Sequence, residues 1–345
     1  MDFTLNDEQR MFAETAKTVF TDTCDSARLR QLMETDAPRD DARWEAVVEN
    51  GFPLILLPES AGGLGLSETD FALIAEAAGY AALPEPLIES AGVAAPMLAT
   101  IAPDSPALAD PMATIAIQHP INPFVVDADR AAVLLLHADG ATHLVEPSAV
   151  TLERVESIDA FRRLFHVTWT PTAQTEVSRD AGLWDLALDR GALFAAAQAL
   201  GAAQRAIDLA TDYAKGRTQF GKPIGSYQAV KHQLATAQVK IEFARPVLQA
   251  AAAEIGHGDA QSRARISHAK LVATEAADVA ARTSLQVHGA MGYSWEVDVH
   301  LFVKRALALT YAWGGPAFHR ARVAQRVFGQ PTGPDQTFAR EQIHA

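Results

Sequence analysis

Cysteine is almost absent from this sequence, and so is any long apolar run. Cys24 is the single cysteine among 345 residues, which excludes an intramolecular disulfide and favours a reducing compartment. The first residues lack the basic and apolar regions of a secretory signal peptide. No uninterrupted apolar run reaches the roughly 18 residues that a membrane span requires. These absences predict a cytoplasmic protein without a membrane span.

Positive charge is also in short supply. The chain has 29 lysine and arginine residues against 42 acidic ones, for a formal net charge of -13. Such an excess of negative charge disfavours nucleic acid as a partner, because the two would repel each other. A site for a phosphate-bearing ligand must therefore be a local cluster of cations.

Helix-forming and strand-forming residues divide the chain into three parts. Residues 1–110 contain amphipathic stretches separated by glycines and prolines, which predict an N-terminal helical domain. Residues 111–176 predict a small β domain, because apolar runs at 131–136 and 143–146 flank an Asp-Gly turn. Residues 177–345 return to long alanine-rich helices and predict a C-terminal helical bundle. The predicted fold class is α+β, mostly α.

The connection after one long predicted helix has the residues of a diphosphate site. Arg217 opens a loop rich in glycine, and its forked guanidinium matches phosphate oxygens better than a lysine ammonium does. Phe220 supplies a flat apolar face in this loop, and Gln228 offers an amide where the next helix begins. The alternative is an ordinary helix connection, in which Arg217 caps carbonyls and Phe220 packs in the core.

A second glycine-containing break follows about seventy residues later. Gln286, Gly289 and Gly292 interrupt a helical run, and glycines three apart let a backbone approach a nucleotide closely. The Gln286 amide can hydrogen-bond a ribose or a phosphate. His288, between them, is predicted to be packed or capping rather than a ligand.

Glu296 and His300 lie four residues apart on a predicted helix. That spacing puts both side chains on one face, as half of a metal or acid/base site would require. No third ligand lies nearby in the sequence, so a surface pair is the favoured interpretation. No metal site is predicted.

Three ordered segments, residues 51–65, 203–222 and 286–305, resemble the signatures of the acyl-CoA dehydrogenases. The resemblance covers both helical parts. It implies an N-terminal helical domain, a small central β domain and a C-terminal four-helix bundle. It also implies a flavoenzyme that desaturates acyl-CoA thioesters and passes electrons to an electron-transferring flavoprotein. In that family four subunits pack their bundles together, and the residues that would hold FAD across an interface are Arg217, Phe220, Gln228, Gln286, Gly289 and Ala290.

Three departures from the family pattern concern the flavin ring and the catalytic base. Residues 115–124 lack the Thr-Glu-Pro and Gly-Ser-Asp elements that cup the ring, and the β domain is shortened. Trp313 stands where the family usually has its catalytic glutamate. In relatives that carry the glutamate on an earlier helix, the matching position is Gly191. Asp189 is two residues away, a turn of ~200° on a helix, and is predicted to face the other side.

A tryptophan has no lone pair available to accept a proton, so the sequence assigns no catalytic residue. The first hypothesis is the smaller, degenerate subunit of an α2β2 acyl-CoA dehydrogenase, a form associated in the family with steroid or other bulky side chains. A larger partner subunit would supply the base and the flavin-ring pocket. One alternative is a self-sufficient homo-oligomeric enzyme whose base is Glu296, Asp298 or Asp189. Another is a flavin-free binding or structural protein on the same scaffold.

Overall fold

A computed structural model gives the fold and describes residues 4–35 and 39–329. Helices occupy both ends of this part of the chain, and short strands occupy the middle. The mostly helical α+β class predicted from the sequence is confirmed. Residues 330–345, which belong to the predicted C-terminal part, lie outside the described residues. The boundaries at 110 and 176 stay predictions, and the last strand of the middle part ends at Ser178.

Six of the described helices form the N-terminal part. Side-chain caps start two of them: Asn6 and Gln9 cap the first reciprocally, and Ser67 and Asp70 cap the fourth in the same way. The segment Ile88–Ala94 is π-helical and leads directly into the fifth helix. The six are α1 (Asp7–Thr23), α2 (Ser26–Thr35), α3 (Asp41–Glu49), α4 (Glu68–Tyr80), α5 (Ala95–Ile101) and α6 (Pro106–Ala109).

Two small sheets form the middle part. The strands are β1 (Ile115–Ile117), β2 (Phe124–Val126), β3 (Val133–Ala138), β4 (Ala141–Val145), β5 (Thr151–Val155), β6 (Leu164–Thr168) and β7 (Glu176–Ser178). One sheet has the order β1-β3-β4-β7, with β1 and β3 parallel, and the other has the order β2-β6-β5. The predicted Asp-Gly hairpin is confirmed: Asp139 and Gly140 have φ of 51° and 74°, as a two-residue turn between twisted strands requires.

The C-terminal part is a bundle built around one long helix. The central helix is α7 (Gly182–Gly216), and around it lie α8 (Gln228–Ala252), α9 (Ala260–His288) and α10 (Val299–Tyr311), with α11 (Pro316–Gly329) packed on α9. Alanine and glycine dominate the buried face of α7. At Gly201 an added Cβ would lie 1.8 Å from the Glu76 carbonyl oxygen, so glycine alone permits this contact with α4. The close approach joins the N-terminal helices to the bundle.

Among the described helices, none is both long and apolar enough to cross a membrane.

Candidate functional site

The connection after α7 is a projecting β-hairpin. The Arg217 N–H donates to the Tyr213 carbonyl at 2.8 Å as the helix ends. Phe220 and Gly221, with φ of 52° and 81°, then form the turn of the hairpin. Phe220 is 92% exposed, so the alternative in which it packs in the core is wrong. The paired strands are β8 (Thr218–Gln219) and β9 (Lys222–Pro223).

The second predicted motif lies where α9 ends. Gly289 follows the helix with φ of 59°, and no atom lies within 4 Å of the place where a Cβ would stand. His288 is buried and its Nδ1–H donates to the Ser284 carbonyl at 2.8 Å, so the predicted packed or capping role is confirmed. Gln286, Gly289 and Ala290 are exposed. The backbone at the glycine and the Gln286 amide are thus open to a ligand from outside the chain.

The structure brings these two motifs together at one end of the bundle. The Tyr213 ring of α7 stacks on the His288 ring of α9, with the ring centroids 4.4 Å apart. Val287 packs in a small apolar cluster that includes Ala214 of α7 and Val230 of α8. Gln228 is exposed in the same turn as Val230. We call the exposed set the bundle-end surface; its members are Arg217, Phe220, Gln228, Gln286, Gly289 and Ala290.

A buried indole fills the predicted position of the catalytic base. Trp313 lies in the turn between α10 and α11, with φ of 57° and an exposed fraction of 1%. Its ring stacks on the His119 imidazole, with the ring centroids 4.0 Å apart. An added Cβ on Gly191 would lie 2.1 Å from the indole. The two positions that the resemblance offered for a glutamate therefore touch each other, and the glycine makes room for the tryptophan.

A neutral histidine holds the turn that carries this indole. The Nε2–H of His319 donates to the Trp313 carbonyl at 3.1 Å, and its Nδ1 accepts from the Ser267 hydroxyl at 3.0 Å. We assign this tautomer because a carbonyl oxygen only accepts. Burial lowers the pKa of His319 to about 3, so the imidazole is uncharged near neutral pH. Both of its nitrogens are used within the fold.

Two further buried groups near the indole, His119 and Lys270, were not predicted from the sequence. Burial lowers the pKa of His119 well below its usual value, and the positive charges of Arg162 and Lys270 add to the effect. Lys270 is 1% exposed and donates to the Leu309 carbonyl of α10. Burial lowers the pKa of its ammonium group to about 7. Lys270 lies four residues after the apolar Ile266, and this helical spacing is the sequence signal that could have placed Lys270 on the buried face of α9.

The carboxylates considered as alternative bases are engaged elsewhere or exposed. Asp189 is buried and paired with Arg322 of α11. Burial raises the pKa of Asp189, and the Arg322 guanidinium opposes that shift. Asp298 is 2.7 Å from Arg30 of α2. Glu296 is exposed.

The predicted helical pair of Glu296 and His300 is wrong. The helix α10 begins only at Val299, and Glu296 lies in the preceding turn, where the Ser294 hydroxyl accepts from its N–H at 3.2 Å. The two residues therefore do not share a helix face. Across residues 4–35 and 39–329, no group of three ligating side chains is arranged for a metal ion.

Comparison with known proteins assigns the chain to a family. The profile of the acyl-CoA dehydrogenase N-terminal domain matches residues 6–104, and that of the C-terminal domain matches residues 184–328. Acyl-CoA dehydrogenase IpdE2 of Mycobacterium tuberculosis is 32% identical over 329 residues, 94% of this chain and 99% of that protein.

Two solved structures share the fold. One is from the ChsE4-ChsE5 complex of Mycobacterium tuberculosis, with a TM-score of 0.85 and 22% identity, covering 96% of this chain and 100% of that one. The other is from a variant of the Tcur3481-Tcur3483 steroid ACAD, with a TM-score of 0.82 and 24% identity, covering 94% and 99%. With matches over both helical parts and nearly the whole length of a relative, the chain belongs to the acyl-CoA dehydrogenase family.

Proposed function

We propose that this chain is a subunit of an FAD-dependent acyl-CoA dehydrogenase and that a larger partner subunit supplies the catalytic base. FAD is the cofactor that family membership assigns to the protein. The chain's own contribution is the bundle-end surface, which contacts an FAD held mainly by the partner. The observation that carries the proposal is a contrast between two sites. The bundle-end surface is assembled and exposed, whereas the buried Trp313 indole, packed against Gly191, fills the place where the family has its catalytic base.

The residues of the bundle-end surface fit the diphosphate of FAD. The Arg217 guanidinium offers parallel N–H donors to phosphate oxygens, and the Gln286 amide adds a neutral donor. At Gly289 the missing side chain leaves the backbone open to close approach. Phe220 gives an apolar face to the same surface. All these groups point outward from the chain, which suits a cofactor shared with a neighbouring subunit.

Desaturation of a thioester explains why Trp313 matters. A base must take the α-proton of the acyl group while a hydride leaves the β-carbon, and the flavin accepts that hydride. The Trp313 indole accepts no proton, and its burial against His119 excludes water and substrate from the place. Asp189 and Asp298 are bound to arginines, which argues against the self-sufficient enzyme. The base therefore comes from another chain.

The comparisons suggest the class of substrate and the assembly. Two structural neighbours come from heteromeric pairs by their names, and one of these is described as a steroid ACAD. By this likeness we propose an α2β2 assembly that acts on a steroid or other bulky acyl-CoA. We further propose an electron-transferring flavoprotein as the electron acceptor, as the family resemblance implies.

Co-expression with a larger acyl-CoA dehydrogenase chain from the same genomic neighbourhood tests the proposal. The chain purified alone should have little visible flavin absorption and no dehydrogenase turnover. The co-purified complex should be yellow and active, with fewer than one FAD per polypeptide. Full flavin loading and acyl-CoA oxidation by the chain alone would refute the proposal and favour the homo-oligomer. A colourless, inactive complex would favour the flavin-free protein.

Substitution of Arg217 in the complex tests the cofactor contact. Arg217→Ala removes a charged hydrogen-bond donor, so we expect FAD to bind about tenfold to a hundredfold more weakly. Arg217→Lys keeps the charge but loses the forked guanidinium, so its FAD affinity should lie between those of the unchanged protein and of Arg217→Ala. Arg282→Ala is the matched control, because Arg282 is an exposed arginine of α9 that pairs only locally with Asp278 in the described chain. Equal FAD affinity in all variants would remove Arg217 from the site.

A further inference from the structure

A short segment after α9 exposes three large apolar side chains at alternate positions. Met291, Tyr293 and Trp295 are 37%, 79% and 62% exposed, whereas Gly292 between the first two is buried. An added Cβ on Gly292 would lie 2.8 Å from the Leu285 carbonyl oxygen of α9, so the backbone lies against that helix here. The side chains before and after the glycine are therefore left at the surface. We call Met291, Tyr293 and Trp295 the apolar rim.

The apolar rim is held in place by its own chain, although it is exposed. The Arg30 guanidinium of α2 donates to the Trp295 carbonyl oxygen. The Lys304 ammonium of α10 lies 4.0 Å from the centroid of the Trp295 ring, and the His300 ring meets the same indole edge-on with the centroids 4.7 Å apart. A side chain fixed in this way loses little conformational entropy when another molecule covers it.

The composition of the apolar rim is typical of a protein interface. Tyrosine, tryptophan and methionine are enriched at such interfaces, and tyrosine and tryptophan often dominate the binding energy because each joins a large apolar face to a polar tip. Within residues 4–35 and 39–329, neither the Tyr293 hydroxyl nor the Trp295 indole N–H has a hydrogen-bond partner. A protein surface with apolar side chains and hydrogen-bond acceptors therefore fits the rim.

The apolar rim continues the bundle-end surface. Gly289 and Ala290 belong to that surface, and Met291 follows them directly. The segment Gly289–Tyr293 is a 3-10 helix, which rises about 2 Å per residue, so Tyr293 lies about 8 Å along it from Gly289. A stable protein interface covers roughly 800 Å² on each partner, a patch about 30 Å across. A subunit that brings FAD to Gly289 therefore covers the rim as well.

We propose that the apolar rim is a docking surface for the larger partner subunit, which meets it with apolar side chains and hydrogen-bond acceptors. The inference rests on the proposed function, because it takes the subunit that holds FAD as the occupant. The other two candidates for the occupant are a second copy of this chain and the FAD itself, stacked on Trp295. Each of the three gives a different result when the rim is substituted.

Substitutions in the apolar rim test the proposal through the affinity of the full chain for the larger subunit, measured by sedimentation with FAD in excess. Tyr293→Ala and Trp295→Ala should each raise the dissociation constant of the two subunits about tenfold or more, because each removes a large side chain from the contact. Trp295→Phe keeps a ring and should weaken the association less. Tyr311→Ala is the matched control, since Tyr311 is also 62% exposed but ends α10, outside the rim.

The outcomes separate this inference from the proposed function. Unchanged subunit affinity in both alanine variants, in a complex that is yellow and active, would overturn the docking surface alone. Weaker FAD binding at unchanged subunit affinity would assign the rim to the cofactor instead. A dimer of the isolated chain that both variants dissociate would assign it to a second copy. If the unchanged chain bound no larger subunit, both proposals would fail. Urea unfolding of the isolated variants should match that of the unchanged chain, which excludes misfolding as the cause of weaker association.

Discussion

Phe220 and Trp313 are both aromatic residues in a left-handed backbone, yet their surroundings are opposite. Their φ angles are 52° and 57°, and a glycine of positive φ follows each. Phe220 is 92% exposed at the tip of a hairpin, whereas Trp313 is 1% exposed beneath α7 and His119. Such a backbone costs about 1–2 kcal/mol in a residue with a side chain, so it persists where contacts repay it. Trp313 finds those contacts within the chain, whereas Phe220 would find them in the neighbouring subunit proposed above.

The largest difference should appear when each aromatic ring is removed. Trp313→Ala deletes a fully buried indole and should lower the free energy of unfolding by about 3–5 kcal/mol. Phe220→Ala should change it by less than about 0.5 kcal/mol, because the ring touches little of its own chain. Urea unfolding of the two variants measures both. Comparable losses would mean that the hairpin packs against this chain and would weaken the comparison.

Gly191 should resist even the smallest side chain. Its added Cβ would stand 2.1 Å from the Trp313 indole, so Gly191→Ala should destabilise the fold by about 1–3 kcal/mol. Gly216→Ala is the matched control, since no atom lies within 4 Å of its added Cβ at the end of α7. The double variant Gly191→Ala with Trp313→Ala should lose less than the sum of the single losses. Additive losses in denaturant unfolding would show that the two positions do not interact.

Acid should lower the stability of the region around Trp313 through the buried His319. His319 has a folded pKa of about 3, below the ~6.5 of an unfolded chain, so only the unfolded state takes up its proton between these values. The contribution of His319 is therefore complete above pH ~6.5 and is lost as the pH falls towards 3. Between pH 6.5 and 5 the loss should be about 1–2 kcal/mol.

Replacing His319 isolates this contribution. His319→Asn keeps a donor for the Trp313 carbonyl but has no titrating group, so its unfolding free energy should fall less steeply between pH 6.5 and 5. Ser267→Ala removes a neutral hydrogen bond to the same ring and should lower stability while keeping the acid dependence. An unchanged slope in the asparagine variant would mean that other groups cause the acid sensitivity.

The exposed motifs were largely predictable from the sequence. Arg217 and Gln286 each stand at the end of a long alanine-rich helix, and helix ends can be read from glycine and from helical periodicity. Their meeting at one end of the bundle follows once α7 and α9 are parallel neighbours, because both helices then end at the same place. The hairpin was not predicted, because two-residue strands have no periodicity to detect. The sequence also did not decide whether Phe220 is exposed at a cofactor surface or packed in the core.

The buried region around Trp313 was predictable only in part. The absence of a glutamate at Trp313 and Gly191 was evident, but the contact between them was not, because it depends on how the turn after α10 folds back onto α7. Glu296 was misplaced because four-residue spacing was taken for a helix that begins only at Val299. Lys270, His119 and His319 come together from separate elements, and no local pattern links residues so far apart.

The smallest predicted change in stability concerns Phe220, the exposed member of the pair. Asparagine tolerates a left-handed backbone better than phenylalanine, so Phe220→Asn should leave the isolated chain as stable or raise its stability by about 0.5 kcal/mol. In the co-purified complex the same substitution removes an exposed apolar ring from the proposed FAD contact, so flavin should dissociate faster during dialysis. Trp313→Asn keeps the same backbone tolerance but should destabilise the isolated chain strongly, because the lost indole is buried. If Phe220→Asn also destabilised the isolated chain, the ring would be stabilising its own fold, and contact with a neighbouring subunit would no longer explain its exposure.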